Sequence, residues 1–245
     1  MISPSLRSNR APAGKTAAET TVLSAGAIEP GLVKVIDAYR REAGGKLTVA
    51  FATGPAILKR IFAGETADVV IAPPAVLDEI AQAGKIAAAE RVAVGRIGIG
   101  VAVREGAPAP EIATVDAFKK SLLNAGSVVY NQASTGIYLE RLFERLGMAE
   151  QIKAKTTRYP DFAAVREHMR KGKPNEIGLG ATTVIIEAKN KGLKFVGPLP
   201  AEIQNYTAYV ATAAGRNSAT GAAPEFIRYL TTPAARAALA AAGIE

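Results

Sequence analysis

The chain has 245 residues, of which 49% are hydrophobic, and its formal net charge is +8. This length and composition can bury a sizeable core, in one large domain or in two smaller ones. The sequence contains no cysteine, which excludes disulfides, thiolate metal sites and cysteine nucleophiles. The positive charge favours anionic partners in general.

The basic residues do not predict a nucleic-acid interface. They alternate with acidic residues on predicted helices, as in Glu140-Arg141 and Glu144-Arg145, which is typical of a solvated helix face. Aromatic residues make up 6% of the chain, and no basic run alternates with them as it would in a base-stacking platform. We therefore expect no nucleic-acid partner.

The sequence predicts no transmembrane segment, because no stretch approaches the ~20 apolar residues of a membrane helix. Residues 1–19 include Arg7, Arg10 and Lys15 but lack the apolar centre of a secretory signal. We interpret them as a disordered tail, although an expression remnant or the start of a cytosolic form would fit as well. The protein is expected in the periplasm if a signal was removed, and in the cytoplasm otherwise.

From Thr20 onward, short apolar runs alternate with segments of helical periodicity. Strands are predicted near residues 21–23, 47–51 and 68–72, and each is followed by a helix that ends near glycine. Repeated strand–helix units of this kind predict an α/β fold, with a mainly parallel sheet flanked by helices.

The run from Arg91 to Val103 is predicted to be one long strand that leads from one domain into the next. Its glycines suggest a dinucleotide fingerprint, but the loop Arg104–Pro110 follows where a helix would have to begin. The strand–helix rhythm then repeats, and Asn205–Val210 is predicted to return as a strand before two final helices. We predict domain I at 20–101 plus 202–245, and an inserted domain II at 102–201, joined by two hinge connections.

The sequence offers little for nucleophilic or metal chemistry. Its single histidine, His168, is predicted to lie on a helix surface rather than to act as a base. No G-x-S-x-G elbow and no phosphate-binding P-loop occurs, and one histidine without cysteine leaves only carboxylates as metal ligands. We expect neither a metal nor another cofactor.

Four loops carry small and hydroxyl-bearing residues between a predicted strand and a helix, at 24–30, 52–55, 131–136 and 178–183. A helix N-terminus has free N–H donors and a positive dipole end, so it accepts an oxyanion. Because ligands bind beyond the carboxyl ends of parallel strands, the loops are predicted to form one anion site without Lys or Arg. The alternative for any one loop is simple helix capping. The candidate hydroxyl donors are Ser24, Thr53, Ser134, Thr135, Thr182 and Thr183.

The order of elements and several local strings resemble the molybdate-binding proteins of the periplasmic solute-binding superfamily. The strings are Val22–Ala25, Phe51–Thr53, Ala63–Asp68 and Ala133–Tyr138, together with Tyr206, and the resemblance extends over most of the chain from residue 20 onward. It implies a two-domain Venus-flytrap fold that closes on a tetrahedral oxyanion through neutral hydrogen bonds.

The resemblance also implies ligand contacts at Ala27, Gly54, Thr135, Gly180 and Tyr206. The first two positions are serines in the molybdate binders, and neither has a hydroxyl here. Each lost hydroxyl donor to a buried anion weakens binding by about 1.5–3 kcal/mol. The smaller side chains also leave space for a larger ligand, such as an organic carboxylate.

Two functions follow from the residues and the resemblance. The first is a monomeric solute-binding protein that captures a small anion, either an oxyanion or an organic acid, for an ABC transporter. The second is a cofactor-independent isomerase of a small tricarboxylate such as aconitate, because some relatives of the molybdate binders look like such enzymes. An isomerase needs a positioned base, for which Glu29 and Tyr206 are the candidates. The alternative for Glu29 is a role in solvent or at the helix dipole.

Overall fold

A computed structural model describes residues 19–86, 90–173, 175–214 and 222–245, so the predicted tail, apart from Glu19, lies outside the described residues. Within these ranges, ten strands form two five-stranded sheets. Sheet one contains β1 (Thr20–Ala25), β2 (Leu47–Ala52), β3 (Val69–Ala72), β4 (Arg91–Ile97) and β10 (Thr207–Ala213). Sheet two contains β5 (Ile99–Arg104), β6 (Ser127–Asn131), β7 (Thr156–Tyr159), β8 (Glu176–Ala181) and β9 (Leu193–Pro198).

Ten α-helices are found in the described part of the chain, together with three short 3-10 turns. The first five helices are α1 (Glu29–Ala43), α2 (Gly54–Phe62), α3 (Pro74–Gln82), α4 (Val115–Asn124) and α5 (Ser134–Arg145). The others are α6 (Ala149–Lys153), α7 (Phe162–Lys171), α8 (Thr182–Glu187), α9 (Ala222–Tyr229) and α10 (Pro233–Ala240). No helix of the described residues is long and apolar enough to cross a membrane.

The two sheets share one plan. Sheet one has the order β2-β1-β3-β10-β4, and sheet two has the order β7-β6-β8-β5-β9. Three neighbouring strands of each sheet are parallel, while β10 and β5 run antiparallel to both of their neighbours. The predicted α/β fold with two mainly parallel, helix-flanked sheets is confirmed.

The helix α1 illustrates how the sequence pattern produces this packing. Its apolar residues recur at helical spacing, and Leu32, Val35, Ile36 and Tyr39 are all at most 2% exposed in the core around sheet one. Pro30 lies in its first turn, where the missing N–H costs nothing, and Gly44 ends it with a φ of 66°. The helix therefore begins shortly after β1 and packs this apolar face against sheet one.

The predicted long strand over residues 91–103 is wrong, because the structure has two strands there. Gly98 separates them, and β4 pairs with β10 in sheet one, whereas β5 pairs with β8 and β9 in sheet two. A side chain on Gly98 would lie 3.3 Å from both Gln204 and Tyr206. The division into domains I and II stays a prediction. The observed strand bounds would place the first connection between the domains at Gly98 rather than after residue 101.

The second connection between the sheets runs beside the first. The side-chain amide of Gln204 accepts a hydrogen bond from Ile99 N–H at 2.8 Å and donates one to Ile99 C=O at 2.9 Å. The hydroxyl of Tyr138 donates to the carbonyl of Ile203 at 2.8 Å, which ties this connection to α5. These bonds hold the two chain crossings together next to the cavity described below.

Candidate functional site

A cavity of about 610 Å³ lies between the two sheets. It is lined by residues that directly follow β1, β2, β3 and β6, and by Ala181 at the end of β8. The carboxyl ends of the parallel strands of both sheets therefore face one space, as open α/β sheets generally arrange their ligand sites. Its volume is within the range of small-molecule sites.

The first loop presents Ala27 to this cavity, but not Ser24. Ser24 is fully buried in β1, and its hydroxyl donates to the carbonyl of Ala25 at 3.3 Å. Ala27 lies in a 3-10 turn, Gly26–Ile28, that leads into α1, and its carbonyl accepts a hydrogen bond from Thr183 at 2.7 Å. This bond connects α8, which follows a strand of sheet two, with the turn that follows β1 of sheet one. The Thr183 hydroxyl is therefore occupied by a contact within the protein.

The second and third loops bring Thr53, Gly54, Ser134 and Thr135 to the cavity. Thr53 precedes α2 and Ser134 begins α5, yet within the described residues neither helix start has a side-chain cap hydrogen bond. Simple capping, the alternative considered from the sequence, is therefore not how these hydroxyls are used. The first backbone N–H groups of α2 and α5 remain available to a ligand, because a helix leaves its first N–H groups without internal partners.

The fourth loop contributes shape rather than donors. A side chain on Gly180 would lie 2.4 Å from the ring of Phe162, which lines the cavity, so glycine allows the ring to pack there. The N–H of Thr182 donates to the carbonyl of Gly98 at 3.0 Å, in the connection between the sheets. Neither Gly180 nor Thr182 is among the residues that line the cavity in the described part of the chain. Their role as ligand contacts stays a prediction.

The structure places Tyr209, rather than Tyr206, at the cavity. Tyr206 is 43% exposed, lies before β10 and packs under the guanidinium of Arg96, 4.5 Å from the ring centroid. Tyr209 is 6% exposed, lines the cavity and pairs with Gly95, where the strand register shifts. Tyr206, which precedes β10, is not among the residues that line the cavity in the described part of the chain. Its role as a ligand contact stays a prediction.

Burial raises the pKa of the Tyr209 hydroxyl far above its ordinary value. Tyr209 is therefore protonated at any physiological pH. It would act toward a ligand as a neutral hydrogen-bond donor.

Basic side chains, which the loop sequences lack, reach the cavity from the helices and from the turn after α8. Lys34 lies on α1, Arg166 on α7, and Glu187 and Lys191 lie at and beyond the end of α8. Each basic residue follows another lining residue at a spacing of four, as in Pro30 and Lys34 or Phe162 and Arg166. Residues four apart share one helix face, and this spacing is the signal that could have identified them in the sequence.

Glu29, the first residue of α1, also lines the cavity. Partial burial and the carboxylate of Glu187 raise its pKa above the ordinary value, while Lys191 and Arg166 oppose this shift. Glu29 therefore holds a proton at a higher pH than a solvated glutamate would. The Glu29 side chain is nevertheless exposed and lies in the first turn of α1, so its alternative role in solvent or at the helix dipole also stays a prediction.

His168 is half-buried, not on an open helix surface as predicted. Its ring nitrogens lie 2.7 Å from the hydroxyl of Tyr159 and 3.2 Å from Oε1 of Glu176, which also accepts a hydrogen bond from Ser127 at 2.7 Å. This network ties α7 to sheet two, on the helix that carries Arg166. Within the described ranges, no group of three His, Asp or Glu side chains is arranged to hold a metal ion.

The chain matches the bacterial extracellular solute-binding proteins over residues 20–245. It belongs to this family. It is 33% identical over 231 residues to an aconitate isomerase from a Pseudomonas species, an alignment that covers 92% of this chain and 87% of the relative. The predicted resemblance to the periplasmic solute-binding superfamily is therefore confirmed.

Solved structures of the same fold include oxyanion and organic-anion binders. The periplasmic molybdate-binding protein of Azotobacter vinelandii superposes with a TM-score of 0.75 at 16% identity, covering 92% of this chain and 98% of that one. A structure of PEB3 with L-phospholactate bound superposes with a TM-score of 0.72 at 13% identity, covering 91% of this chain and 98% of that one. At these identities, the two neighbours establish the fold alone.

Proposed function

We propose that this solute-binding protein captures a small organic polycarboxylate in the cavity between its two sheets. The observation that carries the proposal is the joint presence of Lys34, Arg166 and Lys191 with the uncapped starts of α2 and α5 in one cavity. Backbone N–H groups at a helix start donate hydrogen bonds to one anionic group of a ligand, and the three basic side chains can pair with its other anionic groups. Arginine in particular binds carboxylates through two parallel hydrogen bonds.

The cavity also fits this ligand class better than a tetrahedral oxyanion. Ala27 and Gly54 provide no hydroxyls to contact such an ion. The similarity to an aconitate isomerase supports a carboxylate. As a member of an extracellular family, the protein is proposed to work in the periplasm and to deliver its ligand to an ABC transporter permease.

The test is a ligand panel read out by thermal unfolding and isothermal titration calorimetry. The panel contains molybdate, tungstate, sulfate, phosphate, citrate, and cis- and trans-aconitate. A ligand that binds only the folded state raises stability by RT ln(1 + [L]/Kd), so citrate or an aconitate is expected to give the largest shift. A larger shift with molybdate or tungstate than with any carboxylate would contradict the proposal.

The second candidate function is isomerisation of a tricarboxylate, and two observations favour it. The chain is 33% identical to an aconitate isomerase over 92% of its length, and Glu29 lines the cavity with a raised pKa. A raised pKa makes a carboxylate a better general base at neutral pH. Glu29 would remove a proton from the methylene carbon, the double bond would shift, and the proton would return to the former alkene carbon.

Incubation of the protein with cis-aconitate, followed by NMR, tests this second function. Appearance of trans-aconitate with the wild type, and its loss in Glu29→Gln with binding retained, would support an isomerase. Binding of both isomers without interconversion would contradict the isomerase and support the binding function.

A further inference from the structure

Glu29 is the least expected residue in an anion-binding cavity, because its charge opposes the ligand. It is the first residue of α1, beside Ala27 and Pro30 in the cavity wall. The ionised carboxylate at this end of a helix is favoured by the helix dipole, whereas partial burial and the carboxylate of Glu187 favour its neutral form, although Glu29 remains exposed. The two effects oppose each other, so the charges of neighbouring groups decide whether the ionised or the protonated form of Glu29 is favoured.

The other charged groups that line the cavity with Glu29 come from three helices and a turn. Glu187 lies at the end of α8, Lys191 in the turn that follows it, Arg166 on α7, and Lys34 further along α1. Glu187 and Lys191 form an ion pair with each other, so part of the positive charge of Lys191 is already compensated. Tyr209 on β10 also lines the cavity, and it is neutral. An arriving anion adds a further negative charge to this group.

We propose that Glu29 couples anion capture to proton uptake. This inference rests on the proposed function, because it assumes that a polycarboxylate occupies the cavity. An ionised Glu29 repels the ligand, whereas a protonated Glu29 can donate a hydrogen bond to one of its carboxylates. The bound state therefore retains one proton from solvent on Glu29, and the free protein releases it at higher pH.

The direction of the pH dependence follows from the groups around Glu29. Burial and Glu187 raise its pKa in the free protein, and a bound anion raises this pKa further. Between the free and bound pKa values, binding takes up a proton, so affinity increases as the pH falls. Below the free pKa, Glu29 is already protonated and its contribution becomes constant. One proton limits the change to about tenfold in Kd per pH unit.

The experiment is calorimetric titration of the wild type with citrate between pH 5.5 and 8.5, in two buffers of different ionisation enthalpy. We expect Kd to fall by about 3- to 10-fold per pH unit on acidification through part of this range, with net proton uptake. Glu29→Gln is expected to bind more tightly at pH 8 and to lose this component. Citrate's own ionisation is the same for both proteins, so it cancels in the comparison.

Two further variants make the test specific. Asp37→Asn removes an exposed carboxylate from the same helix, where Asp37 pairs with Arg40, and should leave the wild-type pH dependence unchanged. Glu187→Gln should shift the dependence to lower pH, because Glu187 raises the pKa of Glu29. Thermal unfolding without ligand checks that each variant is folded.

The outcomes separate this inference from the function on which it rests. If the wild type binds citrate and Glu29→Gln keeps the same pH dependence and proton uptake, the coupling is wrong while carboxylate binding stands. If neither citrate nor an aconitate binds the wild type, the proposed function fails, and the coupling fails with it.

Discussion

Two chemically unlike groups of residues, here called the neutral side and the charged side, line the cavity, and the difference between them indicates how the site would work. The neutral side consists of the starts of α2 and α5, with Thr53, Gly54 and Ser134. The charged side consists of Arg166, Glu187 and Lys191 on α7, α8 and the turn beyond it, together with Glu29 and Lys34 on α1. Backbone donors on the neutral side are fixed by their helices, whereas the charges stand on longer side chains.

This contrast assigns different tasks to the two sides. A helix start attracts any small anion, because its N–H groups and dipole do not distinguish carboxylate from sulfate or phosphate. The pattern of charges on the charged side would select the number and position of the ligand's anionic groups. The neutral side would then provide general anion affinity, and the charged side would provide discrimination. The following predictions test this division.

The largest effect is expected on the charged side, from Arg166→Ala. Loss of a hydrogen-bonded charge from the ligand should weaken citrate binding by about 1.5–3 kcal/mol, or roughly 10- to 100-fold in Kd by calorimetry. Arg170→Ala is the matched control, because Arg170 lies on the same helix and pairs with exposed Glu167. Equal affinities of the wild type and both variants would remove Arg166 from the site.

We expect the hydrogen-bond network around His168 to hold α7, which carries Arg166, against sheet two. His168→Ala leaves Glu176, a carboxylate only 7% exposed, without its histidine partner. We expect the free energy of unfolding in urea to fall by about 1–3 kcal/mol. Glu167→Gln on the same helix removes an exposed ion pair and should cost less than about 1 kcal/mol. Similar losses of unfolding free energy in both variants would show that the buried network contributes no more to stability than the exposed ion pairs do.

On the neutral side, Thr53→Val and Ser134→Ala should each weaken citrate binding by about 0.5–1.5 kcal/mol. Neither hydroxyl caps its helix in the described structure, so the free energy of unfolding should stay almost unchanged. Tyr206→Phe serves as the control, because Tyr206 lies outside the cavity lining and should bind citrate normally. A loss of stability without a loss of affinity would instead indicate ordinary capping.

The smallest effect is expected at the contact between the two halves of the molecule. Thr183→Val removes the 2.7 Å hydrogen bond to the carbonyl of Ala27 while keeping the shape of the side chain. One neutral hydrogen bond contributes about 0.5–1.5 kcal/mol, measured as the change in unfolding free energy. Thr182→Val, whose N–H rather than hydroxyl bonds Gly98, is the control. An equal effect of both variants would remove the special role of Thr183.

More of the fold than of the site could be predicted from the sequence. Apolar periodicity in α1 and the continuous apolar run of β3 depend on burial against a nearby sheet, and burial leaves a regular pattern in the sequence. The strand break at Gly98 left no such pattern, because strand-forming apolar residues occur on both sides of it. Their separation depends on which sheet each strand joins. The loops around Ala27, Gly54 and Thr135 were predicted because they follow strands.

The sequence by itself determined the α/β fold, the family and the neutral helix starts at the ends of the strands, because these follow from local spacing and short strings. Tertiary structure alone decided that Tyr209 rather than Tyr206 lines the cavity, that Thr183 contacts Ala27, and that Arg166 and Glu29 line the same cavity. These relations join residues that are distant in the chain or depend on strand register, and local periodicity carries no information about either. The loops that line the cavity could therefore be predicted from the sequence, while the charges that would select a ligand could not.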